Sequence, residues 1–343
     1  MQSAIQNLKT IIPRNFFYCD VGARGGIEVP WKSFKKILNL ISFEPDKEAY
    51  DLILKEAEVN HNIYPYALFD ENKKLSINLT KKRSCSSSYK PNKKFLNKFP
   101  EIDRYEIEDT ILTEAVSLDY LYNNKKISNI DFIKIDVQGA SLDVLKGGNN
   151  CLFENILGIE VEVEFQPIYE KQSLFSDVDS YIRGNLGLQI QDLSKHYWKY
   201  PEGINVGSTK GQLIWADALY FRAPWDILDW CSNFSREYGF NKINMACLMG
   251  IVYGYLDYSL CLLNQPSINK YLNKKIIDQW KMFIEKHGKS IHYQGKGGGV
   301  FMKFLIFLAA CSNHHIMGGQ PVGKYWDLVK SIRFLCNLNC MTH

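Results

Sequence analysis

The chain has 343 residues, is 46% hydrophobic, 13% aromatic and 23% charged, and carries a net charge of +4. That composition excludes a disordered, collagen-like or coiled-coil chain, and the length allows one large domain or two ordinary ones with ample core. So small an excess of positive charge gives no argument for a nucleic-acid partner.

Residues 1–13 have neither a continuous apolar core nor a small-residue cleavage site, so no secretory leader is expected. Phe16–Val21 (FFYCDV) predicts a strand ending at Gly22. Trp31, Phe34, Ile37 and Leu38 then recur at helical spacing. Ile41–Phe43 predicts a second strand, stopped by Glu44-Pro45, and Asp46 is placed to cap a helix to about Glu58 with Tyr50, Ile53, Leu54 and Ala57 on one face. Ile63–Leu68 reads as a third strand, and Leu75–Leu79 alternates as an exposed strand does. Thr80–Pro100 is polar and basic, broken by Ser84, Ser86, Ser87, Ser88 and Pro91, which predicts a loop. Ile130–Val137 is a further strand, and the helix opened by Gly139-Ala140 ends at Gly147-Gly148. Ile156–Phe165, Leu188–Leu193 and Gln212–Arg222 complete the strands, with a helix at Phe175–Arg183. Strands separated by helices imply βαβ units and a mostly parallel, doubly wound α/β sheet.

Pro224 marks a change of pattern. The expected division is an α/β domain over residues 1–223 and a helical extension over 224–343, with breaks at Gly295–Gly299 and Gly318-Gly319. Met245–Leu263 is nearly long enough to span a membrane, but Asp257 and Tyr253, Tyr255 and Tyr258 within it favour a buried helix, so no membrane span is expected. Val300–Cys311 is too short and contains Lys303. The nine cysteines form no C-x-x-C pair and the seven histidines are scattered. Free thiols in a reducing, cytoplasmic compartment are therefore expected, and no metal site.

The strongest chemical signal is Asp20-Val21-Gly22-Ala23-Arg24-Gly25-Gly26 directly after the first strand. Glycines at a strand-to-helix turn let a ligand approach the backbone, and a helix N-terminus behind them offers N–H groups. Glu44 ends the second strand, where an acidic side chain accepts hydrogen bonds from two ribose hydroxyls. Together these describe a doubly wound domain that binds an adenosine-bearing cofactor. The dinucleotide fingerprint G-x-G-x-x-G is not met, because Ala23 and Arg24 follow Gly22 and the glycine that admits a pyrophosphate is missing.

Asp20-Val21-Gly22-Ala23 resembles the first motif of S-adenosylmethionine-dependent methyltransferases, whose loop surrounds the amino-acid end of the cofactor. Phe43-Glu44-Pro45, Ser117-Leu118-Asp119-Tyr120-Leu121, Ile130-Asp131-Phe132-Ile133-Lys134-Ile135-Asp136-Val137-Gln138-Gly139 and Leu142-Asp143-Val144-Leu145-Lys146-Gly147-Gly148 follow in turn. In this order the chain resembles the FkbM family of methyltransferases over about residues 16–222. Arg24 stands where that family commonly has Asn, and Gln138 where it often has Glu.

The resemblance implies a Rossmann-like class I methyltransferase fold, its last strand antiparallel, followed by the helical extension. It implies S-adenosyl-L-methionine as cofactor and O-methylation of a hydroxyl on a sugar, glycan or glycosylated metabolite. Asp20, Gly22 and Gly25, with Ala23 and Arg24 in the same loop, would hold the methionine end. Glu44, with Pro45, would hold the ribose, and Asp136 would stand beside the transferring methyl. The acceptor is then a carbohydrate or glycosylated small molecule, with no nucleic acid.

A neutral alcohol is a poor nucleophile, so a base is wanted. Asp136, Glu162, Glu164 and His196 are the candidates. Glu160, Glu162 and Glu164 alternate with Val161 and Val163 and share one strand face, where apolar residues are the rule. They face a substrate cleft, bind a cation, or pair with basic side chains. Asp136 has a second reading as a helix cap, and His196 as a satisfied structural histidine. Tyr169 and Trp198 either stack on a sugar ring or pack in the core. The Ser84–Ser88 stretch, flanked by Lys81, Lys82, Arg83, Lys90, Lys93 and Lys94, is a lid that attracts an anionic glycan or a solvated loop. Arg24 pairs with the cofactor carboxylate or faces solvent.

Three other readings compete. A NAD-dependent sugar-nucleotide oxidoreductase needs the missing glycine and a Tyr-x-x-x-Lys pair, which Tyr120–Asn124 does not supply. A nucleic-acid methyltransferase needs an Asn/Asp-Pro-Pro-aromatic motif that is absent. A non-catalytic module that kept the fold is opposed by Asp20, Gly22, Glu44 and Asp136. The apolar runs of the extension suit a homo-oligomer contact, a cover for the acceptor site, or docking on a partner enzyme.

Overall fold

The computed structural model describes residues 2–27, 30–58, 60–206 and 211–292. The glycine breaks at 295–299 and 318–319 and the apolar run at 300–311 lie outside the described residues. Two compact units are formed by the described residues of Asn15–Ile27 with Leu38–Ala223, and of Met1–Arg14, Glu28–Ile37 and Pro224–His343. The first unit is therefore discontinuous in sequence.

All the described strands belong to the first unit. They are β1 (Phe16–Val21), β2 (Leu38–Phe43), β3 (His61–Tyr64), β4 (Ala67–Leu68), β5 (Lys73–Thr80), β6 (Ile107–Val116), β7 (Phe132–Ile135), β8 (Gly158–Glu164), β9 (Leu188–Trp198) and β10 (Gln212–Arg222). Among the described residues, seven of them form one sheet in the order β3-β2-β1-β7-β8-β10-β9, and β4-β6-β5 form a second. The pairs from β3 to β8 are parallel, whereas β10 runs antiparallel to both β8 and β9. The strand order reverses between β1 and β7, which is where a doubly wound sheet receives its ligand.

Period-two alternation decides the faces. Cys19, Val21, Ile41, Phe43, Ile133, Ile135, Val161, Val163, Ala216 and Ala218 point one way into a single core. Leu118, Leu121, Val144, Leu145, Leu152, Val178 and Ile182 from the helices Leu118–Asn123, Ser141–Gly147, Asn149–Asn155 and Phe175–Leu186 pack on them. Each such aliphatic side chain fully removed from water contributes about 1.5–3 kcal/mol. The other face is apolar only near the amino ends of its strands, where Phe16, Tyr18, Leu38, Leu40 and Phe132 are buried.

Several elements differ from the sequence expectation. Trp31–Ile37 is a 3-10 helix, and Leu38 already belongs to β2. The helix capped by Asp46 ends at Lys55, with the Asp46 side chain accepting from the Glu48 N–H. Ile63–Leu68 is divided between two sheets, because Pro65 has no N–H with which to continue a ladder. Thr80–Pro100 contains short turns at Arg83–Cys85 and Lys93–Leu96 and buries Cys85, Ser87, Phe95 and Leu96, so it is a packed segment. Lys81 pairs there with Asp103 and Arg83 with Glu108. Strand β9 runs on to Trp198, so His196 lies within a strand instead of after it.

The second unit is helical among its described residues: Gln2–Ile11, Ile227–Cys231, Arg236–Val252, Leu256–Leu263 and Lys274–His292, with 3-10 turns at Trp31–Ile37 and Ile268–Lys270. The apolar stretch Met245–Leu263 is two helices, parted at Gly254 with φ 83°. They pack closely: the Ser259 hydroxyl donates to the Cys247 carbonyl at 3.0 Å, and a Cβ on Gly250 would stand 2.4 Å from Ser259 Oγ. No described helix is long and apolar enough to cross a membrane. Cys19, Cys85, Cys151, Cys231, Cys247 and Cys261 are free thiols.

Candidate active site

The polar side chains collect on one face at the carboxyl ends of the parallel strands. Register sets Ser42, Asp20, Lys134 and Glu160 side by side across β2, β1, β7 and β8. One step further along β8, Glu162 faces Asp217 of β10; then Glu164 faces Trp215, which in turn faces His196 of β9. The three alternating glutamates therefore lie where this face has changed from apolar to polar.

The loop after β1 is held tightly. The Gly22 and Ala23 N–H groups both donate to the Phe43 carbonyl at the end of β2, at 3.1 and 3.2 Å, and the Gly26 N–H donates to Ala23 at 2.8 Å. Gly22 has φ 79°, and Gly25 is exposed at the loop tip. The Arg24 guanidinium pairs with the Asp46 carboxylate. That ties the glycine loop to the first turn after β2. Glu44, buried between them, accepts from the Asp46 N–H at 2.9 Å, and Pro45 separates the two acids in sequence. Burial pushes the Glu44 carboxyl up to about 7, against the opposing effects of the Asp46 N–H and the Arg24 charge.

Asp136 follows β7 directly. Its Oδ1 accepts from Gln138 Nε2 at 2.9 Å, and the same nitrogen donates to Glu162 Oε1 at 2.7 Å. Lys134 Nζ lies 4.0 Å from Asp136 Oδ2. Glu162 is held well above the usual carboxylate range, first by burial and then by the charges of Asp136, Glu164 and Asp217. Burial and Asp136 together raise Glu164 to about 8. Its Oε1 is buried without a hydrogen-bond partner. Among the described residues no group of three or more His, Cys, Asp or Glu side chains is placed to hold a metal ion.

The structure thus brings Asp136, Glu162 and Glu164 into one acidic cluster. His196 stands apart from it. Its ring stacks on Trp215 with centroids 3.5 Å apart, and its Nε2 is 3.7 Å from Asp217 Oδ2, too far for a hydrogen bond. Trp215 lies between His196 and Glu164 in the register, and two strand spacings amount to about 10 Å.

Tyr169 is buried, with its hydroxyl 2.9 Å from both the Cys85 carbonyl and Gln138 Oε1, so it cannot stack on a sugar. Trp198 packs edge-on against Phe99, and the Arg104 guanidinium lies 4.7 Å over its ring. Sequence reasoning missed Trp215 and Asp217. Their signal was the alternation Trp215-Ala216-Asp217-Ala218, which sets two small apolar residues on one face and two larger, polar-bearing side chains on the other.

The strand order with β10 antiparallel is the Rossmann-like class I methyltransferase arrangement expected from the sequence. Similar solved structures include magnesium protoporphyrin IX methyltransferase (ChlM) from Synechocystis PCC 6803 with bound SAM, at 10% identity, 64% of this chain, 78% of that chain and a TM-score of 0.32. They also include M. capricolum TrmK with S-adenosyl-homocysteine, at 12% identity, 83% of this chain, 97% of that chain and a TM-score of 0.31. A third is precorrin-6y C5,15-methyltransferase from Geobacter metallireducens GS-15, at 8% identity, 64% of this chain, 86% of that chain and a TM-score of 0.29. No curated protein matches the chain. Residues 20–189, from Asp20 of β1 through the acidic cluster to the start of β9, match the family described as the methyltransferase FkbM domain, and over these residues the chain carries a domain of that family.

Proposed function

We propose that this domain transfers a methyl group from S-adenosyl-L-methionine to a hydroxyl of a carbohydrate or glycosylated small molecule. The observation that carries the reading is the acidic floor at the carboxyl ends of the strands: Glu44, Asp136, Glu162 and Glu164. Such a floor suits a cofactor with a positive sulfonium and a positive amino group. Once ionised, it disfavours the pyrophosphate of a dinucleotide.

The residues fit such a cofactor. Asp20, Gly22, Ala23 and Gly25 would hold its methionine end, Glu44 its ribose, and Asp136 would face its charge. When bound, the cofactor supplies an electrophilic methyl group carried on sulfur. The chain's own part is to hold the acceptor oxygen in line, exclude water and take the hydroxyl proton. Glu164 is the assigned base. Its unused Oε1 can accept that proton, and its raised carboxyl is a stronger base when ionised than an ordinary glutamate. Glu162 stands beside it. His196, across Trp215, is assigned to holding the acceptor.

Thermal stabilisation of the purified chain tests the cofactor. A ligand at ~100 times its Kd adds about 2.7 kcal/mol. S-adenosylmethionine and S-adenosylhomocysteine should raise the Tm, Glu44→Ala should abolish the rise, and NAD and NADP should give none. A shift with the dinucleotides alone would overturn the reading. A carbohydrate acceptor panel, scored by S-adenosylhomocysteine formation, tests the hydroxyl.

A further inference from the structure

Gln138 stands at φ 52°, in the left-handed region, followed by Gly139 at φ 91°. A residue with a side chain is disfavoured there and stays only where its surroundings over-determine it. Four contacts do so. Nε2 donates to Asp136 Oδ1 at 2.9 Å and to Glu162 Oε1 at 2.7 Å. Oε1 lies 2.9 Å from the Tyr169 hydroxyl, and the main-chain carbonyl accepts from Ser87 Oγ at 2.6 Å. An amide nitrogen has two protons. Both are given to carboxyl groups that repel each other when ionised.

The amide does this without adding charge. A glutamate at this position would bring a third acid and, once ionised, no donor. We propose that Gln138 is a positioning residue of this site: its neutral amide, locked by Tyr169 and Ser87, aims the Asp136 carboxylate at the cationic end of the methyl donor and holds Glu162 alongside. The inference rests on the methyltransferase reading above. The charged and titratable groups around the pair are Lys134 of β7, Glu164 of β8, Asp217 of β10 with His196 of β9 behind it, and Cys85, Tyr105 and Tyr169 from the flanking segments.

The test compares S-adenosylmethionine with S-adenosylhomocysteine by calorimetry on the full chain across neutral pH. The two ligands differ by a methyl group and the sulfonium charge, so the ratio of their affinities reads the carboxylate charge facing the methyl. Losing a donor to a charged group is worth about tenfold. Gln138→Leu should therefore lower the preference for S-adenosylmethionine about tenfold and move its pH profile up by about one unit, with S-adenosylhomocysteine affinity kept within about threefold. Gln138→Glu should also move the profile up, but above it should exceed the wild-type preference, because a third carboxylate is then ionised.

A Gln138→Leu chain that binds S-adenosylhomocysteine normally and keeps the wild-type ratio and pH profile would overturn the proposal, leaving Gln138 a structural clip. If Gln138→Leu does not fold, Tyr169→Phe decides. Removing that anchor should lower the ratio about threefold, and an unchanged ratio overturns the proposal. A wild-type chain that binds neither ligand would instead overturn the methyltransferase reading, and this inference with it.

Discussion

Gly22 and Asp136 meet with no room for a side chain between them: a Cβ on Gly22 would stand 2.0 Å from the Asp136 carbonyl oxygen. The loops that leave β1 and β7 pass each other at the switch point, and the Asp136 N–H closes the contact by donating to the Val21 carbonyl at 3.0 Å. Gly22 is thus required by the fold before any ligand arrives. Gly26 separates the two causes, because it also has positive φ, at 66°, but open space around its Cα. Gly26→Ala is expected to cost about 1–2 kcal/mol from backbone strain alone. Gly22→Ala adds the clash and should cost more than about 3 kcal/mol. Urea unfolding of the two variants measures the difference, and equal losses would refute the close-approach explanation.

The buried acids set a pH dependence of stability. Glu44 is raised from 4.5 to about 7 and Glu164 from 4.5 to about 8, with Glu162 displaced in the same direction. In that range the fold keeps protons that the unfolded chain has released, so stability falls as pH rises. The slope is about 1.4 kcal/mol per pH unit for each such group. This contribution is full below 4.5 and is lost as pH passes about 7 for Glu44 and about 8 for Glu164. The Tm of the ligand-free chain should therefore decline from about pH 5 to about pH 8, and Glu164→Gln should flatten the decline. A Tm that rises over this interval would mean that these groups are ionised in the fold.

Cofactor binding should release a proton near neutrality. Glu44 is held at about 7 by burial. Two ribose hydroxyls donating to it would favour the carboxylate and lower that value. The affinity for S-adenosylhomocysteine should then rise with pH through about 7. Calorimetry in buffers of different ionisation enthalpy measures the released proton. Glu44→Gln should abolish the buffer dependence, and a buffer-dependent heat that survives the substitution would assign the proton elsewhere.

Much of this arrangement was legible in the sequence. Strands β1 and β10 follow from apolar runs between helical periods, and the antiparallel direction of the last strand was implied by the family resemblance. The glutamates of β8 were visible as a breach of the apolar rule, and their partners across the strands were not, because register depends on long-range pairing. Strand β6 escaped notice because Ile107–Val116 is mostly exposed and polar, with no alternation to read. The basic segment 81–94 looked like a free loop. Its anchors are invisible locally: the Asn92 N–H donates to the Ile168 carbonyl, and Ser87 Oγ reaches Gln138. For Tyr169 the packed reading holds over the sugar platform, although nothing in its own sequence context shows that the hydroxyl meets Gln138.

The acidic cluster should divide into separable roles when methyl transfer is measured. A positioned base contributes roughly 10²–10⁴-fold. Glu164→Gln should slow transfer by at least about 100-fold while leaving S-adenosylhomocysteine binding little changed. The wild-type rate should climb with pH through about 8, where Glu164 ionises, and the variant should lose that limb. Asp136→Asn should act differently, weakening S-adenosylmethionine relative to S-adenosylhomocysteine, because it removes the charge assigned above to face the sulfonium. His196→Gln breaks the stack on Trp215 without touching Asp136, Glu162 or Glu164, so its effect should fall on the acceptor KM, with kcat changed by less than about tenfold. A Glu164→Gln chain that keeps both its rate and its alkaline limb would move the base to Glu162, whose carboxyl is raised by the same burial and by the same Asp136 charge.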